Sequence, residues 1–180
     1  MFKTIALVAG GFLIVALSVV LILAAMQPDT FEVARSTSIK APPEKIFPYF
    51  NDFQRYLAWS PYEKLDPLMV RTYSGPSAGP GAKYAWESSG PGGVGSMTIA
   101  EVAAPNRVTV NLDFVKPFTC HNQVDFTMEP QADGQTKVTW AMKGPNNFMG
   151  KIMHVFIDCD TMVGADFESG LAELKAVTEK

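Results

Sequence analysis

Cysteine and histidine are scarce: Cys120 and Cys159, His121 and His154 are the only ones in 180 residues. A disulfide-dense scaffold is excluded. Cys120 and His121 are neighbours on a predicted strand and so point to opposite faces, while His154 and Cys159, five apart on a helical stretch, point in different directions. Neither pair makes a zinc site, and no metal is expected. An oxidising compartment would permit one Cys120 to Cys159 disulfide, but the sequence alone does not pair them, and a domain of this size needs no staple. An excess of positive charge is also missing. Lys and Arg number 15 against 18 Asp and Glu, for a net charge of −3, which argues against a nucleic-acid-binding surface. No Gly-x-Ser-x-Gly elbow occurs. Gly90-Pro-Gly-Gly-Val-Gly95 lacks the strand-to-helix setting of a dinucleotide loop, and Gly81-Ala-Lys83 lacks the rest of a phosphate loop. No cofactor is expected, and there is no internal repeat or low-complexity tract.

What is present begins with a charge-free block from Ile5 to Met26. As a helix it would rise about 33 Å, the span of a bilayer core. A cleaved signal peptide competes, but the block is long for one and its small-residue pair, Ala24-Ala25, makes a poor cleavage site. The sequence therefore predicts one transmembrane helix. Lys3 precedes it and Asp29 and Glu32 follow, so the positive-inside tendency puts the N-terminus in the cytoplasm. This predicts a single-pass membrane protein with an extracytoplasmic domain, periplasmic in a bacterium. The expected organisation is an anchor over residues 1–26, a linker over 27–30 and one domain over 31–180.

Within that domain, Phe31, Val33 and Ile39 alternate on a first strand. Ala41-Pro42-Pro43 stops it, and Pro43 suits the first turn of a helix carrying Ile46, Phe47 and Phe50, which Pro48 must shorten or kink. A short helical piece, Phe53 to Leu57, leads to Trp59-Ser60-Pro61-Tyr62. From Met69 to Lys143 the period is two, punctuated by turn signals that mark six further strands. One face carries Tyr84, Trp86, Met97, Ile99, Val108, Val110, Leu112, Phe114, Val124, Phe126, Met128, Val138, Trp140 and Met142; the other is polar, as expected of an antiparallel meander. After Pro145 helical spacing returns, with Phe148, Ile152 and Phe156, then Val163, Phe167, Leu171 and Leu174. Gly164 and Gly170 imply a break or a close contact there. The fold class is α+β: a curved seven-stranded antiparallel sheet around a long C-terminal helix, preceded by the transmembrane helix.

Chemistry-bearing residues are few. Asp158, Asp160, Asp166 and Glu168 fall near the start of the last helix, where carboxylates meet the helix dipole; capping and solubility account for them. His121 lies in register with Gln123 and Asp125 on the polar face, a weak base candidate.

The order and spacing of several segments resemble the START-like, polyketide cyclase/dehydrase (SRPBCC) superfamily with its helix-grip fold. They are Ser36 to Phe47, Asn51-Asp52-Phe53 leading to Trp59-Ser-Pro-Tyr62, Gly79 to Trp86, Gly95 to Ile99, Thr136 to Trp140, and Asp166 to Leu174. The resemblance implies an apolar cavity between sheet and C-terminal helix for a lipid, polyketide-like or other hydrophobic or amphipathic molecule. Tyr62, Tyr84, Trp86 and Trp140 would offer polar handles, and Met97, Phe114, Phe118, Phe156 and Phe167 the remaining lining. The expected partners are that small molecule and, through the N-terminal helix, a membrane. Binding without catalysis is the first reading. A cell-envelope interaction or signalling module with a vestigial cavity is the second, and a cyclase/dehydrase-type enzyme using His121 or Tyr84 the third. The ligand, the protein partner and the oligomeric state are not legible.

Overall fold

The computed structural model describes the backbone of every residue except Met1, Pro91 and Ile157, and the side chains except those of residues 1–9, 91, 157 and 159. Expectations placed on Lys3 and on the Cys159 thiol thus lie outside the described residues. The chain runs α1 (Phe2–Ala25), β1 (Thr30–Ile39), α2 (Pro43–Ile46), α3 (Pro48–Asn51), two 3₁₀ turns (Phe53–Ala58, Pro61–Lys64), β2 (Val70–Ser74), β3 (Lys83–Glu87), β4 (Val94–Ala103), β5 (Arg107–Lys116), β6 (Cys120–Pro130), β7 (Thr136–Pro145), α4 (Phe148–Phe156) and α5 (Cys159–Thr178). The seven strands form one antiparallel sheet in the order β1-β7-β6-β5-β4-β3-β2. This is the α+β architecture expected from the alternation, a seven-stranded antiparallel sheet with a long C-terminal helix.

The membrane expectation is corrected. Among the described residues no helix is long and apolar enough to cross a membrane. The charge-free block forms α1, Phe2–Ala25. Its C-terminal end is fastened to the domain: Ala24 is fully buried, and α1 packs against α4. The transmembrane helix and the single-pass, extracytoplasmic placement derived from it are both overturned.

Proline shapes the crossover from β1. Pro43 and Pro48 each start a four-residue helix, with Phe47 at the junction, because each ring fixes φ for a first turn and supplies no N–H to continue the turn before it. The concave face of the sheet then meets α5. Val33, Ile39, Val108, Val110, Val124, Phe126, Met128, Val138 and Trp140 are buried there, as are Phe167, Leu171 and Leu174 of the helix. The two glycines of α5, Gly164 and Gly170, are close contacts and not breaks. A Cβ on Gly170 would lie 2.8 Å from the Trp140 ring and 2.9 Å from Pro61.

The convex face is polar, and its centre is Asp125. Thr109 Oγ1, Arg107 Nη2 and Gln123 Nε2 donate to its carboxylate at 2.7, 2.6 and 2.9 Å. Burial pushes this carboxyl up, but the hydrogen bonds from Thr109 and Arg107 outweigh it and hold the group below the usual carboxylate range. One departure concerns α4. Its apolar residues do not cover the sheet; the helix leans on α1 and leaves Phe148, Met149 and Phe156 exposed.

Candidate functional site

The space beneath the middle of α5 is occupied by aromatic rings. Trp140 stacks on Phe167 with centroids 4.0 Å apart and planes 10° from parallel, and Trp59 and Phe126 meet Trp140 at 5.2 and 5.5 Å. Phe50 stacks on Phe126 at 4.3 Å. The indole Nε1 of Trp140 is buried without a partner among the described residues.

Toward the β2 edge lies a buried polar cluster. The Tyr84 hydroxyl donates to Glu63 Oε1 at 2.6 Å, and Arg71 Nε donates to Glu63 Oε2 at 2.7 Å. The Glu63 side chain is 5% exposed. Burial first, then the Glu63 carboxylate, pushes the Tyr84 phenol well above the ordinary tyrosine range, so it stays a proton donor. A small recess of about 250 Å³ opens nearby between Phe53, Tyr73 and the Gly75 turn.

The larger opening is at the other edge. A cleft of about 550 Å³ lies between β1, the end of α4 and the start of α5. Phe31, Val33, Val155 and Phe156 form its apolar wall, and His154, Glu32, Asp158 and Asp160 supply polar groups. The strand period turns Phe31 and Val33 to the same face. Asp158 caps α5, accepting from Thr161 N at 3.1 Å. Asp160 accepts from Arg35 Nη2 at 3.0 Å, and that guanidinium, hydrogen bonding first, holds the Asp160 carboxyl below its usual range.

The residues expected to line a cavity are dispersed. Phe156 borders this cleft and is 70% exposed. Tyr84, Trp86, Trp140 and Phe167 are buried in the aromatic layer. Trp86 donates to Gly92 O at 2.9 Å and meets Phe114 edge to face. Met97 and Phe114 pack partly buried against the core. Tyr62 lies at the surface with its ring edge to face with Trp140, and Phe118 is exposed. His121 sits on the convex surface, its Nδ1 2.6 Å from Asp113 Oδ1. Glu63, Arg35 and Asn146 were not anticipated from sequence: each reads as an ordinary surface residue until its partners, distant in sequence, are known.

With this geometry in hand, comparison with known proteins is decisive for the family. The family model described as polyketide cyclase / dehydrase and lipid transport matches residues 30–179. The chain belongs to this family. No curated protein matches it. Among solved structures, a Chromobacterium violaceum protein superposes with a TM-score of 0.57 at 18% identity, covering 85% of this chain and 99% of that one. A Mycobacterium smegmatis protein gives 0.57 and 18%, covering 84% and 92%. A putative protein of the dynemicin biosynthetic locus gives 0.58 and 18%, covering 86% of this chain and 48% of its own. At such identities the likeness is one of fold, and function must be argued from the site.

Proposed function

We propose that this polyketide cyclase/dehydrase-family domain binds a hydrophobic or amphipathic small molecule and releases it unchanged. The cleft of about 550 Å³ between β1, α4 and α5 carries this reading: its volume suits a small ligand, and its wall of Phe31, Val33, Val155 and Phe156 offers an apolar contact surface. Release without chemistry is supported by the engagement of the two side chains that the sequence offered as acid or base. Tyr84 is turned to Glu63, and His121 to Asp113 on the opposite side of the sheet.

The test is native mass spectrometry with organic extraction on protein purified without detergent, followed by titration with the neutral dye N-phenyl-1-naphthylamine. Saturable binding that weakens at least about tenfold in Phe156→Asp, with thermal stability unchanged, is expected. Absence of any saturable binding would refute the reading. The alternative, an interaction module, draws support from the exposed Phe148, Met149 and Met153 of α4, and a stoichiometric protein partner with no extractable ligand would favour it.

A further inference from the structure

Asn146 is 4% exposed and stands between the chain before β1 and the cleft. Its Nδ2 lies 3.1 Å from the carbonyl oxygen of Pro28 and 3.2 Å from Nδ1 of His154. A carbonyl oxygen can only accept, so the amide must turn its nitrogen to Pro28, and the second hydrogen on that nitrogen then points at His154. Nδ1 of His154 is thereby made the acceptor. In a neutral imidazole the proton must then sit on Nε2. The ring is held edge to face with Phe31 at a centroid distance of 6.1 Å, and both rings line the cleft.

We infer that His154, fixed by Asn146 as the Nε2–H tautomer, is the hydrogen-bond donor with which the cleft recognises a neutral oxygen acceptor, a ketone, ester or hydroxyl carried on an apolar body. The inference rests on the cleft being the ligand site. The charge of the lining sets the class further. Asp158 and Asp160 contribute carboxylates, no lysine or arginine is among the described residues that line the cleft, and Arg35 at its back is already engaged by Asp160 and Glu168. A carboxylate ligand would meet like charge, whereas a neutral carbonyl would not. His154 is a binding residue here, and Asn146 is a positioning residue that acts through it.

Matched probes test this on the full chain: 2-acetylnaphthalene, which carries an acceptor oxygen, 2-ethylnaphthalene, which does not, and 2-naphthoate, which is anionic. His154→Phe should weaken 2-acetylnaphthalene by about fivefold, the worth of one hydrogen bond, while leaving 2-ethylnaphthalene within about twofold. His154→Gln, which keeps an N–H donor, should recover part of the loss, and 2-naphthoate should bind more weakly than the ketone to the wild type. Long-range ¹⁵N–¹H correlation above the ordinary imidazole titration range should find the His154 proton on Nε2, with tautomers mixing in Asn146→Ala. Equal effects of His154→Phe on ketone and hydrocarbon, or a proton on Nδ1 in the wild type, would overturn the inference while leaving the cleft a ligand site. Failure of all three probes to bind the wild type would remove both.

Discussion

The guanidinium of Arg35 fills the space in which a side chain on Gly164 would stand. Arg35 projects from β1 toward the first turns of α5, where Nε donates to Glu168 Oε1 at 2.9 Å and the two terminal nitrogens reach Asp160 Oδ1 and Oδ2 at 3.1 and 3.0 Å. Nη2 also donates to the Asp160 carbonyl at 3.0 Å. One side chain therefore pins the start of the helix to the edge of the sheet, and only glycine leaves it room.

Gly164→Ala should accordingly change sign with its background. In the wild type the new methyl group displaces a guanidinium held by several hydrogen bonds, and stability should fall by about 1–2 kcal/mol despite the better helix propensity of alanine. In an Arg35→Ala background the obstacle is gone, and the same substitution should stabilise by roughly 0.5–1 kcal/mol. Urea denaturation of the four proteins measures both, and the same sign in both backgrounds would refute the steric account.

Asp125 makes the convex face sensitive to acid. Its folded pKa lies below the ordinary 3.8, so its contribution is complete above that value and is lost as pH falls through the lowered folded value. The urea midpoint of the wild type should therefore drop between neutral and strongly acidic solution, and Asp125→Asn should show a smaller drop from a lower starting stability. Identical pH profiles would show that the network around Asp125 is not the source.

The Glu63 cluster should matter for folding and not for the cleft. Tyr84→Phe leaves Oε1 of a buried carboxylate without its donor and should cost about 1–2 kcal/mol. Glu63→Gln, which unpairs the partly exposed Arg71, should cost about 2–3 kcal/mol. Neither should alter the affinity for N-phenyl-1-naphthylamine, because the cluster lies toward the opposite edge of the sheet. A selective loss of dye binding in either variant would move the ligand site toward β2.

Trp140→Ala should cost about 3–5 kcal/mol, since the indole is buried among Trp59, Phe126 and Phe167. The apolar void it leaves beneath α5 should stay dry and accept a small aromatic such as benzene. Calorimetric titration with benzene, with no uptake at that position in the wild type, checks this.

Much of the fold was legible because alternation is a direct imprint of the pleat. Val124, Phe126 and Met128 point inward, Asp125 outward, and no long-range information is needed to say so. Pro43 and Pro48 likewise announced a divided helix. The N-terminal block was misread because a run without charge reports hydropathy and not the surroundings of the helix; packing against α4 and the burial of Ala24 come from tertiary contacts. The aromatic stripe carried a similar ambiguity. Trp140 and Phe167 have the residue types of a lining, but whether two rings face a hollow or each other is decided by the approach of α5, which Gly170 permits. Glu63 and Asn146 were invisible for a related reason. A glutamate in a Pro-Tyr-Glu-Lys turn reads as solvated until Tyr84, 21 residues on, is known to reach it.

The side-chain amide of Asn146 has one nitrogen and two hydrogens, and these lie in a single plane. One hydrogen is directed at Pro28, at the end of the segment that leaves α1, and the other at His154 in the cleft. The backbone N–H of Asn146 donates to the Asp29 carbonyl at 2.8 Å, so main chain and side chain of Asn146 are both tied to Pro28-Asp29. The carboxamide that makes Nδ1 of His154 an acceptor is therefore itself anchored on the segment that follows α1. The linker after α1 and the donor in the cleft are thus joined through a single side-chain amide.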